Sequence, residues 1–302
     1  MSTPKRHHYL PQSYLENFTN ELGMVWVCDK ENNTFNKQSP HNTGVIKNYY
    51  SIKLEDGTFD TRIEKALADI DGLFITIFNK FKTKAQLTSQ EKFDMSACLA
   101  FLYTRTPKFQ KDYELTTNKA IKEILKITQN EETVKRTLKE IGQDPSQAKN
   151  VVKFIQDEKY DIVLPREESL RLMVEMAPKL QPAFNMYDWT VFKAHHEYSF
   201  ITSDNPVIMM PPKNYSPNSF HGIGFLTPGV SFFLPLSSKL LLCMKSTEIP
   251  HKDIQYLSLG KEDMRNINRD FFNTALRFVI GRDKPLLEKL HQLNKTEDIQ
   301  DT

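Results

Sequence analysis

Ile63-Glu64-Lys65-Ala66-Leu67-Ala68-Asp69-Ile70-Asp71-Gly72-Leu73-Phe74-Ile75-Thr76-Ile77-Phe78-Asn79-Lys80-Phe81 is where the chain changes its period. Ile63, Leu67, Ile70, Phe74, Ile77 and Phe81 recur every three or four residues, which is the buried face of one long helix. Upstream the pattern is that of strands. Met24 to Cys28, the turn formers Asn32-Asn33 and then Thr34-Phe35 predict a hairpin. Val45 to Ile52 reads as the next strand, closed by Asp56-Gly57. Downstream, a second helix is expected from Ser89 to Arg105, with Thr88 or Ser89 as N-cap and an end before Thr106-Pro107. Residues 108–159 are rich in Lys and Glu and broken at Gly142 and Asp144-Pro145, so two or three partly solvated helices are expected there. A further helix is predicted over 166–180, with Pro165 near its start.

After Pro182 the period changes back. Tyr187 to Ala194 and Tyr198 to Thr202 read as two strands joined at His195-His196-Glu197. A Pro-, Asn- and Ser-rich loop covers 211–221. Residues 229–236 and 239–245 suggest another hairpin turning at Ser237-Ser238. A late helix is expected over Asp263–Val279, with Ile267, Phe271, Ala275 and Phe278 on one stripe and Gly281 as its stop. The inferred class is α+β: a mixed or antiparallel sheet from the N- and C-terminal segments (1–62 and 181–294), a central helical insert (63–180) and a disordered tail (295–302).

Composition narrows the function classes. The 302 residues are 39% hydrophobic and 26% charged, the balance of a soluble globular protein. No apolar run reaches the roughly 18 residues that span a bilayer, and the start lacks the apolar stretch of a secretory signal. Cys28, Cys98 and Cys243 are scattered, odd in number and in no ligand spacing, so reduced thiols and a cytoplasmic setting are expected. A formal net charge of +2 neither requires nor excludes nucleic acid. Gly-x-Gly-x-x-Gly, Walker, Cys-x-x-Cys and Gly-x-Ser-x-Gly motifs are absent, which argues against nucleotide-driven motors, dinucleotide dehydrogenases and the familiar serine hydrolases.

The chemistry-bearing residues cluster in a few segments. Lys5-Arg6-His7-His8-Tyr9-Leu10-Pro11-Gln12 leads into Tyr14, Leu15 and Phe18, spaced to dock one helical face and bring both histidines against the body of the protein. Arg105-Thr106-Pro107 ends a helix, Phe200-Ile201-Thr202-Ser203-Asp204-Asn205-Pro206 runs an apolar strand into a polar turn, and Leu234-Pro235-Leu236-Ser237 and Ile267-Asn268 follow. In that order, with the Glu64-bearing helix, these segments resemble the domain-of-unknown-function family numbered 4238. The resemblance covers nearly the whole chain and implies one family domain. It implies no particular reaction.

Each candidate carries a functional and a structural account. His7 and His8 could act as acid and base near neutral pH or ligate a metal; alternatively, one anchors the terminus and the other is solvated. Gln12 could orient a neighbour or make a cap-like contact. Glu64 and Asp71 share a helix face but lie roughly 10 Å apart along it, too far to hold one ion by themselves, and Glu64 is favoured as the cleft-facing group. Arg105 could hold a phosphate or form a salt bridge at a helix end. Asp204, at a strand end, could be presented to a site or could make a turn, as could Asn205. Asn268 could reach a pocket from the late helix. His195-His196-Glu197 would alternate faces on a strand, which favours a polar turn over a metal cluster.

Two function classes follow. In the first, a phosphodiesterase or nuclease uses His7 or His8 as acid or base, Glu64 and Asp204 as carboxylates and Arg105 to stabilise charge on phosphate, with Gln12, Asn205 and Asn268 touching substrate. A divalent metal could assist, and the Lys-rich insert could meet a nucleic-acid backbone. In the second, a non-catalytic protein binds a small molecule, nucleic acid or protein, and the same residues form a structural polar network. An open charged pocket would favour the first class, and complete burial and pairing the second.

Overall fold

Asn33 adopts φ 55°, the left-handed conformation that a tight turn needs and Asn tolerates. It joins β2 (Val25–Asp29) to β3 (Thr34–Gln38) in the expected antiparallel hairpin. The computed structural model describes residues 6–53, 58–213, 215, 223–247 and 253–300. Before the hairpin lie β1 (Arg6–His8) and the one-turn helix α1 (Gln12–Leu15). After it, the strand expected over 45–52 is split by Asn48 at φ 54° into β4 (Val45–Lys47) and β5 (Ile52–Lys53), which pairs with β6 (Phe59–Asp60). Asp56-Gly57 lies outside the described residues.

The long helix is α2 (Arg62–Lys82), with Leu67, Phe74, Ile77, Phe78 and Phe81 buried. It packs on α3 (Ser89–Thr104), which Thr88 caps in a reciprocal pair with Glu91: the Thr88 Oγ accepts from the Glu91 N–H at 3.2 Å, and the Glu91 carboxylate accepts from the Thr88 N–H at 2.9 Å. The Lys- and Glu-rich stretch forms α4 (Pro107–Thr128), α5 (Glu131–Glu140) and α6 (Ala148–Gln156). Next comes α7 (Arg166–Met186), which runs six residues past its expected end in spite of Pro178 and Pro182 because buried Ala183 and Phe184 hold its last turns in the core.

Residues 109–169 form one compact unit, and 1–108 with 170–302 form the other. The helical region expected over 63–180 therefore has two parts. α2, α3 and most of α7 build the core of the larger unit. In the smaller unit Val134, Ala148 and Ile155 are buried, while α4 buries no side chain.

The C-terminal segment supplies β7 (Asp188–Lys193), β8 (Thr202–Ser203), β9 (Ile208–Met210), β10 (Ser231–Ser237), β11 (Leu240–Lys245) and β12 (Gln255–Ser258). α8 (Lys261–Thr274), β13 (Phe278–Gly281) and α9 (Lys284–Gln300) complete the chain. One sheet has the order β12-β7-β11-β10-β9, with β12 parallel to β7 and the other pairs antiparallel. The second, β3-β2-β13-β8, joins both ends of the chain. The hairpin at Ser237-Ser238 forms as expected; most of the 211–221 loop lies outside the described residues.

Three local expectations change. The strands around His195-His196-Glu197 do not pair: β7 lies between β11 and β12, whereas β8 belongs with β13 in the other sheet. The late helix stops at Thr274, and Phe278, expected on its stripe, starts a strand. Beyond residue 294, where disorder was expected, α9 continues to Gln300.

Asp29 fastens the hairpin to the connection between α8 and β13. Its carboxylate accepts from Arg277 Nε and a terminal nitrogen at 3.0 and 2.7 Å and from Asn32 Nδ2 at 2.8 Å. The Arg277 bonds, helped by Asn32, hold the carboxyl down at about 2, against an ordinary 3.8. A depressed value means that the stabilisation is present above about 3.8 and is lost as pH falls through about 2. Asp29→Asn is expected to lower the urea midpoint at neutral pH and to flatten the pH dependence across that acid window.

Candidate functional site

The N-terminal segment is tied down at several points. β1 pairs with β4 in the register His7 to Ile46, and the Tyr9 N–H donates to the Gly44 carbonyl at 2.9 Å. Gly44 has φ +67°, and a Cβ there would stand 2.8 Å from Leu10 Cβ, so a side chain would be both strained and in collision. Tyr14, Leu15 and Phe18 are fully buried, as their spacing implied. The Tyr14 hydroxyl donates to the Pro235 carbonyl at 2.8 Å and lies 2.7 Å from Thr202 Oγ1.

This docking sets the histidines. The Tyr50 N–H donates to His7 Nδ1 at 2.7 Å, and the two rings stack 5.6 Å apart. An amide only donates, so the hydrogen-bond pattern assigns the ring proton to Nε2, which lies 3.4 Å from Glu64 Oε2. His8 is assigned by the same logic. Its Nε2 is 3.1 Å from the His41 carbonyl, which only accepts, so Nε2 carries the proton and Nδ1 is the basic atom. Burial lowers the His8 pKa, with smaller contributions in the same direction from His41 and Arg6; the His41 carbonyl and Asp71 oppose the shift. His41 Nδ1 is in turn 3.3 Å from Gln12 Oε1, and Gln12 Nε2 donates to Glu16 at 3.0 Å. Gln12 thus positions the residue behind His8.

Glu64 and Asp71 do not share a partner. Glu64 faces His7, and Asp71 accepts from Arg105 at 2.9 Å. Arg105 caps α3 and is 1% exposed, so its counter-ion is Asp71 and not Glu64. Burial raises the Asp71 carboxyl above its ordinary value, and Arg105 and His8 pull it back only in part. Arg6, His7, His8, Tyr50, Glu64 and Asp71 line one pocket of about 150 Å³ that opens to solvent. Arg105 lies beneath it, reached through Asp71. The innermost groups are therefore buried and paired, while the outer carboxylates and His8 face open space.

The remaining candidates fall elsewhere. Asp204 is 2% exposed, and its carboxylate accepts from the N–H groups of Leu276, Arg277 and Phe278 at 2.8–2.9 Å. Burial raises its pKa, and the three amides oppose that. Its oxygens hold the turn into β13, and it does not line the pocket. Asn205 donates from Nδ2 to the Thr274 carbonyl at 3.2 Å. Asn268 accepts from the Ile201 N–H at 3.1 Å and donates to the Ser199 carbonyl at 2.9 Å, which clamps that segment onto α8.

His195, His196 and Glu197 sit in a turn and not on a strand, so strand alternation does not separate them. Their ligand atoms lie within 4.8 Å of one another, the tightest such convergence among the described residues. Lys261 pairs with Glu197 there at 3.2 Å. The donor atoms of Glu64, Asp71 and His8 show no comparable convergence. Burial pushes the Cys28 thiol up to about 11 and those of Cys98 and Cys243 up to about 12, which disfavours thiolate chemistry at all three.

Three pocket residues, Asp71, Tyr50 and Arg6, and His41 behind His8, are not among the site candidates read from the sequence. Asp71 carried a usable signal, its i, i+7 relation to Glu64. Tyr50, Arg6 and His41 carried none, because the contacts that recruit them cross more than thirty residues of chain.

No helix among the described residues is long and apolar enough to cross a membrane. No curated protein and no solved structure matches the chain. The family model described as "Protein of unknown function (DUF4238)" matches residues 6–285, spanning β1, the α2 and α3 pair and both main sheets. The chain therefore belongs to the DUF4238 family.

Proposed function

We propose that the pocket between β1 and α2 is an acid–base hydrolytic site, with a phosphodiester as its substrate class. The observation that carries this reading is the placement of His8: a partly buried imidazole whose basic Nδ1 is left over beside two carboxylates in an open pocket. In the reaction, His8 Nδ1 takes the proton from an attacking water or hydroxyl as its oxygen bonds to phosphorus. The same nitrogen returns the proton to the oxygen that leaves as its phosphorus bond breaks. Arg6, held by Asn42 Oδ1 at 3.0 Å, stands at the rim where it can meet charge on a phosphoryl oxygen. Glu64, fixed by the His7 Nε2 proton, orients the attacking group. A divalent ion would draw on Glu64, Asp71 and His8; without their convergence, direct acid–base chemistry is the better-supported route.

The substrate class rests on the pocket and not on the insert. In residues 109–169 twelve acids stand against eleven lysines and arginines, and Lys122, Lys126 and Lys135 pair with Asp161, Glu158 and Glu131. That is not the one-signed surface that grips a nucleic-acid backbone. Three unpaired, mostly buried thiols support a reducing, cytoplasmic setting.

A second reading has its own support. The pairs His7–Glu64 and Arg105–Asp71 are what a structural network holding the terminus would contain. Cleavage of RNA, tRNA and single- and double-stranded DNA, with Mg²⁺, Mn²⁺ or chelator, separates the two. His8→Gln retains a donor for the His41 carbonyl and removes the base. Cleavage by the wild type that falls about 10²–10⁴-fold in a folded His8→Gln variant is the expected result. No cutting under any condition, with the variant differing only in melting temperature, would sink the hydrolase and leave the network.

A further inference from the structure

His195, His196 and Glu197 are consecutive, and on a strand the middle one would face away from its neighbours. Here β7 has already ended at Lys193, and the turn that follows brings one ligand atom from each side chain within 4.8 Å of the others. The backbone of that turn is fixed from several directions. The Ala194 N–H donates to the Lys239 carbonyl at 2.9 Å, and the Tyr198 N–H closes onto the His195 carbonyl at 2.9 Å. Lys239 Nζ donates to the carbonyls of His196 and Tyr198 at 3.1 and 2.6 Å, and the His195 N–H donates to the Met264 sulfur at 3.2 Å. Three side chains thus project from a preformed scaffold, so a ligand that engages all three has only side-chain freedom to restrict.

The donor atoms suit a cation. His195 Nδ1 is shut off from solvent and meets no hydrogen-bond partner among the described residues. The His196 and Glu197 side chains are 79% and 58% exposed, and His196 Nε2 stands 3.8 Å from Glu197 Oε1. A tetrahedral ion with bonds of about 2.0–2.1 Å draws its ligand atoms to roughly 3.3 Å, a closure that two exposed side chains make by rotation. Lys261 foremost, then the two histidines, holds the Glu197 carboxyl below its ordinary value, so the group is ionised as a ligand must be. The competitor for that carboxylate is Lys261 itself, at 3.2 Å.

We propose that His195, His196 and Glu197 form a binding site for one divalent transition ion of the zinc class, with water completing its coordination. Two imidazoles and a carboxylate suit zinc, nickel or copper, whereas magnesium and calcium take oxygen ligands. The polar turn and the metal cluster, opposed as alternatives on a strand, are here the same feature: the turn is what puts the three side chains on one side. The proposal stands apart from the hydrolytic reading of the β1 pocket.

The test is titration of the untagged full chain with Zn²⁺ against a chromogenic chelator, with Mg²⁺ as a separate probe. Zinc is expected to bind and magnesium to fail to displace it. His196→Gln and Glu197→Gln should each weaken zinc about tenfold or more, at least what removal of a group behind a ligand costs. Both side chains are exposed, so the urea midpoints of these variants without metal should match wild type. Lys261→Gln should tighten zinc about two- to fivefold, the worth of the exposed ion pair that the metal must displace. His8→Gln should hold zinc as wild type does, which keeps failure of the hydrolase and failure of this site separable. Zinc lost in His8→Gln but kept in His196→Gln would place the ion in the β1 pocket and overturn the proposal. No zinc binding, magnesium as tight as zinc, unchanged affinity in His196→Gln, or no tightening in Lys261→Gln would each overturn it as well.

Discussion

Asp204→Ala is expected to cost on the order of 3–6 kcal/mol, enough to unfold a marginal domain at 37 °C. The figure follows from what the carboxylate holds. Oδ1 accepts from the Leu276 N–H at 2.9 Å, and Oδ2 accepts from the N–H groups of Arg277 and Phe278, both at 2.8 Å. All three amides lie where the chain leaves α8 and enters β13, close to water-excluded core. Alanine leaves three donors without acceptors, each worth about 1–3 kcal/mol when buried. Asp204→Asn is nearly isosteric yet should fare little better. One of its two polar atoms becomes an NH₂, which would face the Arg277 and Phe278 donors with hydrogens of its own. Asn205→Ala, which loses one carbonyl contact, should cost only about 1 kcal/mol. Urea midpoints of the three variants measure the ranking. An Asp204→Asn protein as stable as wild type would show that the turn does not depend on the carboxylate.

Asp71→Ala is expected to destabilise by about 3–5 kcal/mol, and more than Arg105→Met does. The asymmetry comes from burial. Arg105 is 1% exposed, so removing Asp71 leaves a buried guanidinium without its counter-ion. Removing Arg105 instead leaves Asp71, a carboxyl that burial already pushes toward its neutral, protonated form, so no fixed charge is stranded. The pH dependence has a definite sign. The Asp71 carboxyl is raised in the folded state, so the stability it contributes is full below its ordinary 3.8 and is lost as pH rises through its folded value. In Arg105→Met the guanidinium no longer opposes burial, the carboxyl rises further, and the loss of stability above pH 4 should become steeper than in wild type. Chemical denaturation of both variants between pH 4 and 8 provides the measurement. Equal costs for the two substitutions would mean that the pair is solvated and the buried-charge account is wrong.

These expectations separate groups that look alike in the sequence. Asp204 follows β8 and Asp71 sits in the middle of α2; both are carboxylates, but one is saturated by backbone N–H groups and the other faces a pocket. The N-terminal cluster was partly legible. Tyr14, Leu15 and Phe18 announced a docked terminus, and docking brings His7, His8, Glu64 and Arg105 to one region. The pairing inside that region was not legible, because Glu64 and Asp71 lie on one helix face and only the placement of β1 against α2 decides which of them meets His7 and which meets Arg105. Asn268 and Asn205, expected from the sequence to touch a substrate, each hold backbone groups of a distant segment, a role that no short-range pattern signals.

Local physics determined whatever closes over a few residues. The period of Ile63 to Phe81 specifies α2, the Thr88 and Glu91 pair starts α3, and Asn33 and Ser237-Ser238 turn their hairpins, because each signal acts between near neighbours. The α+β class follows from those elements. The tertiary structure alone decided that Phe278 ends in a strand, although its spacing from Phe271 continues the helical stripe: the Asp204 carboxylate, more than seventy residues earlier in the chain, captures the amides that another turn of α8 would use. It also decided that β2 and β13 share a sheet and that His8 Nε2 meets the His41 carbonyl, since hydrogen bonds between distant segments obey no sequence period.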